Sequence, residues 1–183
     1  MLLGYSHLAF CQANPTATQR LQISAFGGLT GTYTDLEGGR NLGVTAGADL
    51  DIYSFHKFVP SAEVRGTYPI HEGQIDGQED LLAGIKVHHP WHAFQPYADL
   101  LIGRGQINYK HGGFKLPPYI YIATTSLVIS PGVGVDLDLS HRWAAKVDFQ
   151  YQTWNAPVAI TGTIHPKVLT AGLVYRFDFN RRH

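Results

Sequence analysis

Cysteine is almost missing from this chain. The one copy, Cys11, stands in the N-terminal segment, so the remainder holds neither a disulfide nor thiol chemistry. Charge is also scarce: Asp, Glu, Lys and Arg make up 15%, against about 25% in an ordinary soluble domain. The formal net charge is zero, which gives no support to nucleic-acid binding or to steering by bulk charge. No run of about 18 apolar residues occurs, and that excludes a membrane-spanning helix. It does not exclude a membrane-spanning barrel, whose strands bury only every second residue in lipid. Gly27-Gly28 and Gly112-Gly113 lack the following helix that a phosphate-cradling loop needs.

Alternation is what the sequence has in quantity. From Leu42 to Tyr53, Leu42, Val44, Ala46, Ala48, Leu50 and Ile52 form one face, with Gly43, Thr45, Gly47, Asp49, Asp51 and Tyr53 on the other. A period of two is the signature of a strand. Eight such stretches follow one another: 20–30, 40–53, 59–70, 78–88, 94–105, 126–139, 143–154 and 166–179. A chain of 183 residues is one domain, and eight strands in sequential hairpins predict an all-β, eight-stranded antiparallel up-and-down barrel. Pro60 and Pro96 fall near strand starts, but Pro131 falls mid-strand, where a bulge is expected.

Alternation does not say which face is outside, since a soluble lipocalin-like barrel alternates too. Three features place the apolar face outward. The polar face is rich in glycine (Gly43, Gly47, Gly84, Gly103, Gly132, Gly134 and Gly172). The interior of an eight-stranded barrel is just wide enough for side chains, and small residues make room there for large charged ones. Aromatics stand toward the ends of the apolar face: Tyr68, Trp143, Tyr151, Tyr175 and Phe177. They match the girdles at two membrane interfaces. Linkers alternate short (54–58, 89–93, 140–142) and long (31–39, 71–77, 106–125, 155–165), as short periplasmic turns and longer extracellular loops do. The barrel is therefore expected to be transmembrane.

Residues 20–179 resemble the small eight-stranded outer-membrane barrels of the OmpA/OmpX/opacity-protein type. The carrying residues are Leu173, Tyr175 and Phe177, alternating in the last strand before Phe179, and the strand opening Phe94-Gln95-Pro96-Tyr97-Ala98. The resemblance implies integral residence in a bacterial outer membrane, contact with its lipid and lipopolysaccharide, and recognition of Leu173, Tyr175 and Phe177 by the barrel-assembly machinery. Residues 178–183 follow Phe177, whereas many members stop at the aromatic. Residues 1–19, with the apolar start MLLGYSHLAFCQA, are expected to be a shortened export signal and tail, and 180–183 a short C-terminal tail.

The polar face carries Asp49, Asp51, Glu63, Asp80, Asp99, Asp136, Asp138 and Asp148 against Arg65, Lys86, Lys146 and Arg176. Unpaired charge in a narrow lumen is expensive, so the four bases are expected to bridge carboxylates across strands, most of them near the short-turn end. A filled lumen gives a structural, surface-interacting protein; an unfilled one gives a narrow, weakly cation-preferring pore. Enzymes that modify lipid A also use such barrels. His71, His111 and His165 lie on long loops with Ser126 and Ser130 nearby, but no His-x-Ser pair of the deacylase type occurs, so no catalytic residue is expected. His88, His89 and His92 cluster around Pro90, with His56 and His141 on the other short turns. Without zinc spacing or a cysteine partner they read as interfacial imidazoles, and neither metal nor cofactor is expected. The linker 106–125 carries Tyr109, Phe114, Tyr119 and Tyr121 with Lys110 and Lys115. It suits a β-extension above the membrane, or adhesion to extracellular protein or glycan.

Overall fold

The computed structural model describes residues 21–35, 39–52, 54, 57–71, 76–109, 113–116, 118–159 and 161–177. The expected export segment, the C-terminal tail, Phe179, Tyr53, His56, Lys110 and His111 lie outside the described residues. The strands are β1 (Gln22–Tyr33), β2 (Arg40–Asp51), β3 (Val59–His71), β4 (Asp76–His88), β5 (Phe94–Tyr109), β6 (Phe114–Leu116), β7 (Tyr119–Tyr121), β8 (Ala123–Asp138), β9 (Trp143–Tyr151), β10 (Thr153–Asn155), β11 (Thr163–Ile164) and β12 (Lys167–Phe177). Eight of them, β1 to β5, β8, β9 and β12, form the wall, each antiparallel to its neighbours. β12 closes the sheet on β1 from Ile23↔Phe177 to Tyr33↔Lys167. Closure pairs the edges that an open sheet would leave, which a bilayer does not tolerate.

The alternation sorts as expected. Leu42, Val44, Leu50 and Ile52 are exposed on the outside, as are Val64, Leu81, Ile85, Leu100, Ile102, Val133, Val147, Leu169 and Leu173. Asp49, Glu63, Arg65, Lys86, Asp99, Asp136, Lys146 and Asp148 are buried inside. A lipocalin-like barrel has the reverse arrangement. The consecutive residues Leu100 and Leu101 show the contrast most clearly, at 59% and 0% exposed. Leu100 pairs with Ile85 and Pro131 in mid-wall. Leu100→Arg is therefore expected to cost about 2–4 kcal/mol of folding free energy in lipid vesicles. The same change at Ile122, exposed on the protruding hairpin, should cost nothing measurable in the same denaturant titration.

Some boundaries differ from the sequence expectation. β1 extends to Tyr33, into the predicted loop 31–39, and Thr34 closes the loop by hydrogen bonds from its N–H and its hydroxyl to Gly39 O, 3.0 and 3.1 Å. The predicted linker 106–125 is largely strand: β5 runs to Tyr109, β8 starts at Ala123, and β6–β7 form a hairpin beyond them. The extension reading of this segment is the one observed. Pro131 makes no bulge, because the β5–β8 register passes through Leu100↔Pro131 unbroken. Pro131 instead falls where β8 changes partner, from Gly132↔Gln150 of β9 to Ile129↔Thr153 of β10, so no ladder bond to that side is needed from it. The register shift lies between Leu42 and Gly43, opposite His71 and Pro69.

Candidate functional site

The lumen contains most of the buried polar chemistry and is filled in layers. At the short-turn mouth is a cavity of about 390 Å³, lined by Asp49, Asp51, Lys86, His88, Asp136 and Arg176 among others. Arg176 pairs with Asp138 at 2.7 Å, and Gln95 donates to the same carboxylate at 2.9 Å. Above them Lys86 bridges Asp49 at 3.2 Å and Asp136 at 3.4 Å. Lys146 lies 3.8 Å from Asp136. Its Nζ has no hydrogen-bond partner among the described residues, but it sits over the rings of Phe26 and Tyr97, 4.5 and 4.2 Å from their centroids. Cation–π attraction strengthens when the cation is desolvated, which explains how this lysine is held.

Arg65 organises the central layer. Its Nε donates to Glu63 at 2.6 Å, and its two terminal nitrogens donate to Asp148 at 2.6 and 3.3 Å. Asp99 is 3.7 Å away. A planar guanidinium suits this fork-like grip on a carboxylate better than an ammonium would. Tyr97 donates its hydroxyl to Asp148 at 2.8 Å, while Gln150 donates to Asp99 at 2.9 Å and receives Ser130 at 2.7 Å. A row of hydroxyls adjoins this layer: Thr30 bonds Thr45 at 2.6 Å and Thr170 at 2.9 Å, and Thr45 bonds Thr67 at 3.1 Å. Glu63, Arg65, Lys86, Asp99, Asp136, Lys146 and Asp148 are thus buried inside the lumen, with Arg176 and Asp138 forming a pair at the mouth.

The outer half of the lumen is apolar, which the sequence reading missed. Leu82, Leu101, Ile107, Tyr109, Val128 and Ile164 pack around Trp154, together with Ala156 and Val158 of the 155–165 loop. That loop folds inward through Ala156 N–H to Gly162 O at 2.9 Å and the β10–β11 pairing. Trp154 donates to Gln152 at 2.8 Å, and Gln152 donates to Asp80 at 2.9 Å, tying the plug to the polar layers.

Glycine makes these large residues fit. Phe26 lies directly across from Gly47 and Tyr97 across from Gly134, and Gln150 faces Gly132. A Cβ on any of these glycines, or on Gly105 beneath the Trp154 ring, would overlap that side chain. Of the polar-face glycines noted in the sequence, Gly47, Gly134 and Gly132 seat Phe26, Tyr97 and Gln150, whereas a Cβ on Gly43, Gly84, Gly103 or Gly172 would meet the backbone of the neighbouring strand. The signal was available in the sequence, but pairing each glycine with its occupant requires the register.

On the outside, Trp143 packs edge-on against Tyr175 at 4.9 Å and Tyr175 against Phe177 at 5.0 Å, forming an aromatic group at the short-turn end. Tyr68 and Tyr151 stand toward the other end, where Tyr33 joins them. With the apolar residues between, they make a belt bounded by aromatic rings at two levels, the exterior of a protein that sits in a bilayer.

No family model and no curated protein sequence matches the chain. Its structure is similar to solved ones. Neisserial surface protein A aligns with a TM-score of 0.55 at 11% identity, covering 86% of this chain and 97% of that one. Ail, the attachment invasion locus protein of Yersinia pestis, aligns at 0.56 and 11% identity, covering 86% and 99%. Outer membrane protein OprG from Pseudomonas aeruginosa aligns at 0.50 and 11% identity, covering 87% and 97%. This chain has the fold of the small outer-membrane β-barrels. Barrels of that fold have short periplasmic turns and longer extracellular loops; here the short turns are at one end and the β6–β7 hairpin is at the other.

No catalytic arrangement forms in this barrel among the described residues. Ser130 is inside the lumen on Gln150. Ser126 Oγ has no hydrogen-bond partner among the described residues. His165 is stacked on Tyr151 at 5.6 Å, with Nδ1 3.4 Å from Thr153. Among the described residues no three His, Cys, Asp or Glu side chains are grouped to hold a metal. His89 instead contacts Lys57 O at 3.0 Å and the Phe58 ring at 5.1 Å, a rim position.

Proposed function

We propose that the protein is a non-enzymatic outer-membrane barrel with a structural and surface-interacting role, and that its lumen does not conduct. The observation that carries this reading is the presence of two unlike plugs in series, the Arg65 network and the Trp154 cluster. Surface interaction is supported by the β5–β8 extension and its β6–β7 hairpin, which carry Ile120 and Ile122 exposed. An extracellular protein or glycan would meet this protrusion first. The printed description of Ail as an attachment and invasion protein belongs to Ail, and is consistent with such a role here. Leu173 and Phe177 face outward at the end of β12, with Tyr175 between them, a placement that supports their reading by the barrel-assembly machinery.

Planar-bilayer recording tests the closed lumen. The unmodified protein is expected to give no stable unitary currents, and the Arg65→Ala/Trp154→Ala double variant, with both plugs cut, to give them. Steady currents from the unmodified protein would overturn this reading in favour of the pore, whose entrance would be the cavity beside Asp49 and Lys86.

A further inference from the structure

We infer that the cavity at the short-turn mouth binds a primary ammonium group carried on a short hydrocarbon chain. A closed lumen does not exclude such an occupant, because the Lys86 layer ends the cavity from within. The wall on β1 and β2 is a block of four acceptors. Gln22 lies directly across from Asp51 and Ser24 from Asp49, and all four line the cavity. Side chains in facing positions are about 5 Å apart, close enough for one ammonium to donate to several at once. Asp51 is half-buried, and no base among the described residues lies within 4.0 Å of it. Asp49 is 4% exposed, and its Oδ1 has no hydrogen-bond partner among the described residues. A half-buried carboxylate without a cation and a buried oxygen without a donor are both unfavourable. The three N–H donors of one ammonium satisfy them together.

The bases of the same cavity are already engaged. Lys86 is shared between Asp49 and Asp136. Arg176, directly across from Ser24, is drawn to Asp138 at 2.7 Å. Asp51 is thus left over, and the mouth has an excess of carboxylate that disfavours an anion. A metal ion fits no better, since among the described residues no three His, Cys, Asp or Glu side chains are grouped to hold one. An ammonium needs only acceptors at hydrogen-bond distance, and Gln22 and Ser24 add neutral ones to the two carboxylates. Val59, Pro90 and Val174 also line the cavity and give a methylene stem an apolar surface. A quaternary ammonium has no N–H to donate. The rings that could hold one, Phe26 and Tyr97, are already covered by Lys86 and Lys146. A volume of about 390 Å³ admits a small amine or a single lysine side chain.

The test uses isotope-labelled protein refolded into uncharged detergent micelles and shown folded by heat-modifiable gel migration. Titration with n-butylamine, which is protonated at neutral pH, is expected to shift the methyl resonances of Val59 and Val174 saturably. Tetramethylammonium and Mg²⁺ at the same concentration should not. Asp51→Asn keeps the shape and removes the charge, and is expected to weaken butylamine binding about tenfold, the lower end for a hydrogen bond to a charged group. Ser24→Ala should weaken it about threefold. Asp35→Asn neutralises a carboxylate outside the cavity and should leave it unchanged. The source of the amine is read by comparing the corresponding diamine with a glycyl-lysyl-glycine peptide. Tighter binding of the diamine assigns the site to free small amines; tighter binding of the peptide assigns it to a lysine side chain. Absence of saturable shifts, equal shifts with tetramethylammonium, or unchanged affinity in folded Asp51→Asn would overturn the site. So would displacement of butylamine by Mg²⁺ at equal concentration, since that assigns the carboxylates to a metal ion. The shifts are read without an applied voltage, so the site stands or falls separately from the closed lumen.

Discussion

Replacing Arg65 with alanine is expected to destabilise the folded barrel by about 3–5 kcal/mol, as removing one partner of a buried ion pair does. Arg65 is buried and holds Glu63 and Asp148 by direct hydrogen bonds, with Asp99 beside them. Without it, three carboxylates face one another in a lumen too narrow to hydrate them fully. The large loss is the cost of stranded charge and does not measure the net worth of the pair. The triple variant Arg65→Met/Glu63→Gln/Asp148→Asn removes both signs together and should recover most of the stability. Arg65→Lys keeps the charge but loses the fork, and should fall between. Denaturant titration of the heat-modifiable form in lipid vesicles reads all three. A loss below about 1 kcal/mol for Arg65→Ala, the range of an exposed pair, would show that the network is dispensable.

Trp154→Ala is expected to cost a further and independent 3–5 kcal/mol or so, the range for emptying a large aromatic site. Trp154 is completely buried, with its ring seated on Gly105. Truncation empties the middle of the outer plug and leaves Gln152 Oε1 without its donor. It also removes the surface on which Ala156 and Val158 rest. Trp154→Phe keeps most of the packing and loses the N–H donor, so about 1–2 kcal/mol should be lost. The same vesicle titration measures both. Fluorescence gives a second check. Trp91 and Trp143 are exposed, so with both replaced by Phe, the remaining emission should be blue-shifted and shielded from aqueous quencher until the barrel unfolds. Quenching of Trp154 in the folded form would mean that the outer plug is open to water.

Much of the wall could be read directly. Leu42 to Ile52 alternate cleanly because each outward residue meets lipid and each inward one meets the lumen, and a two-residue period records that choice. The inward charges were legible for the same reason. Leu82 and Leu101 were not, since each follows an outward leucine, and two adjacent leucines carry no alternation. Trp154 read as the end of a strand; its inward position depends on the 155–165 loop folding back over the mouth. The extension of β5 and β8 was one of two readings of 106–125, and Gly112, Gly113, Pro117 and Pro118, which favour loop, left open where the strands end.

Sequence by itself determined a closed barrel of eight strands with its apolar face outward, because local alternation, glycine placement and linker lengths are each properties of the chain read in order. Only the tertiary structure decided what fills the lumen. Arg65 meets Asp148 across 83 positions of sequence, Phe26 meets its glycine through the register, and Ser24 stands beside Arg176 because the last strand closes on the first. Those meetings follow from strand register and barrel closure, which are set by the whole sheet at once and leave no mark on any one segment.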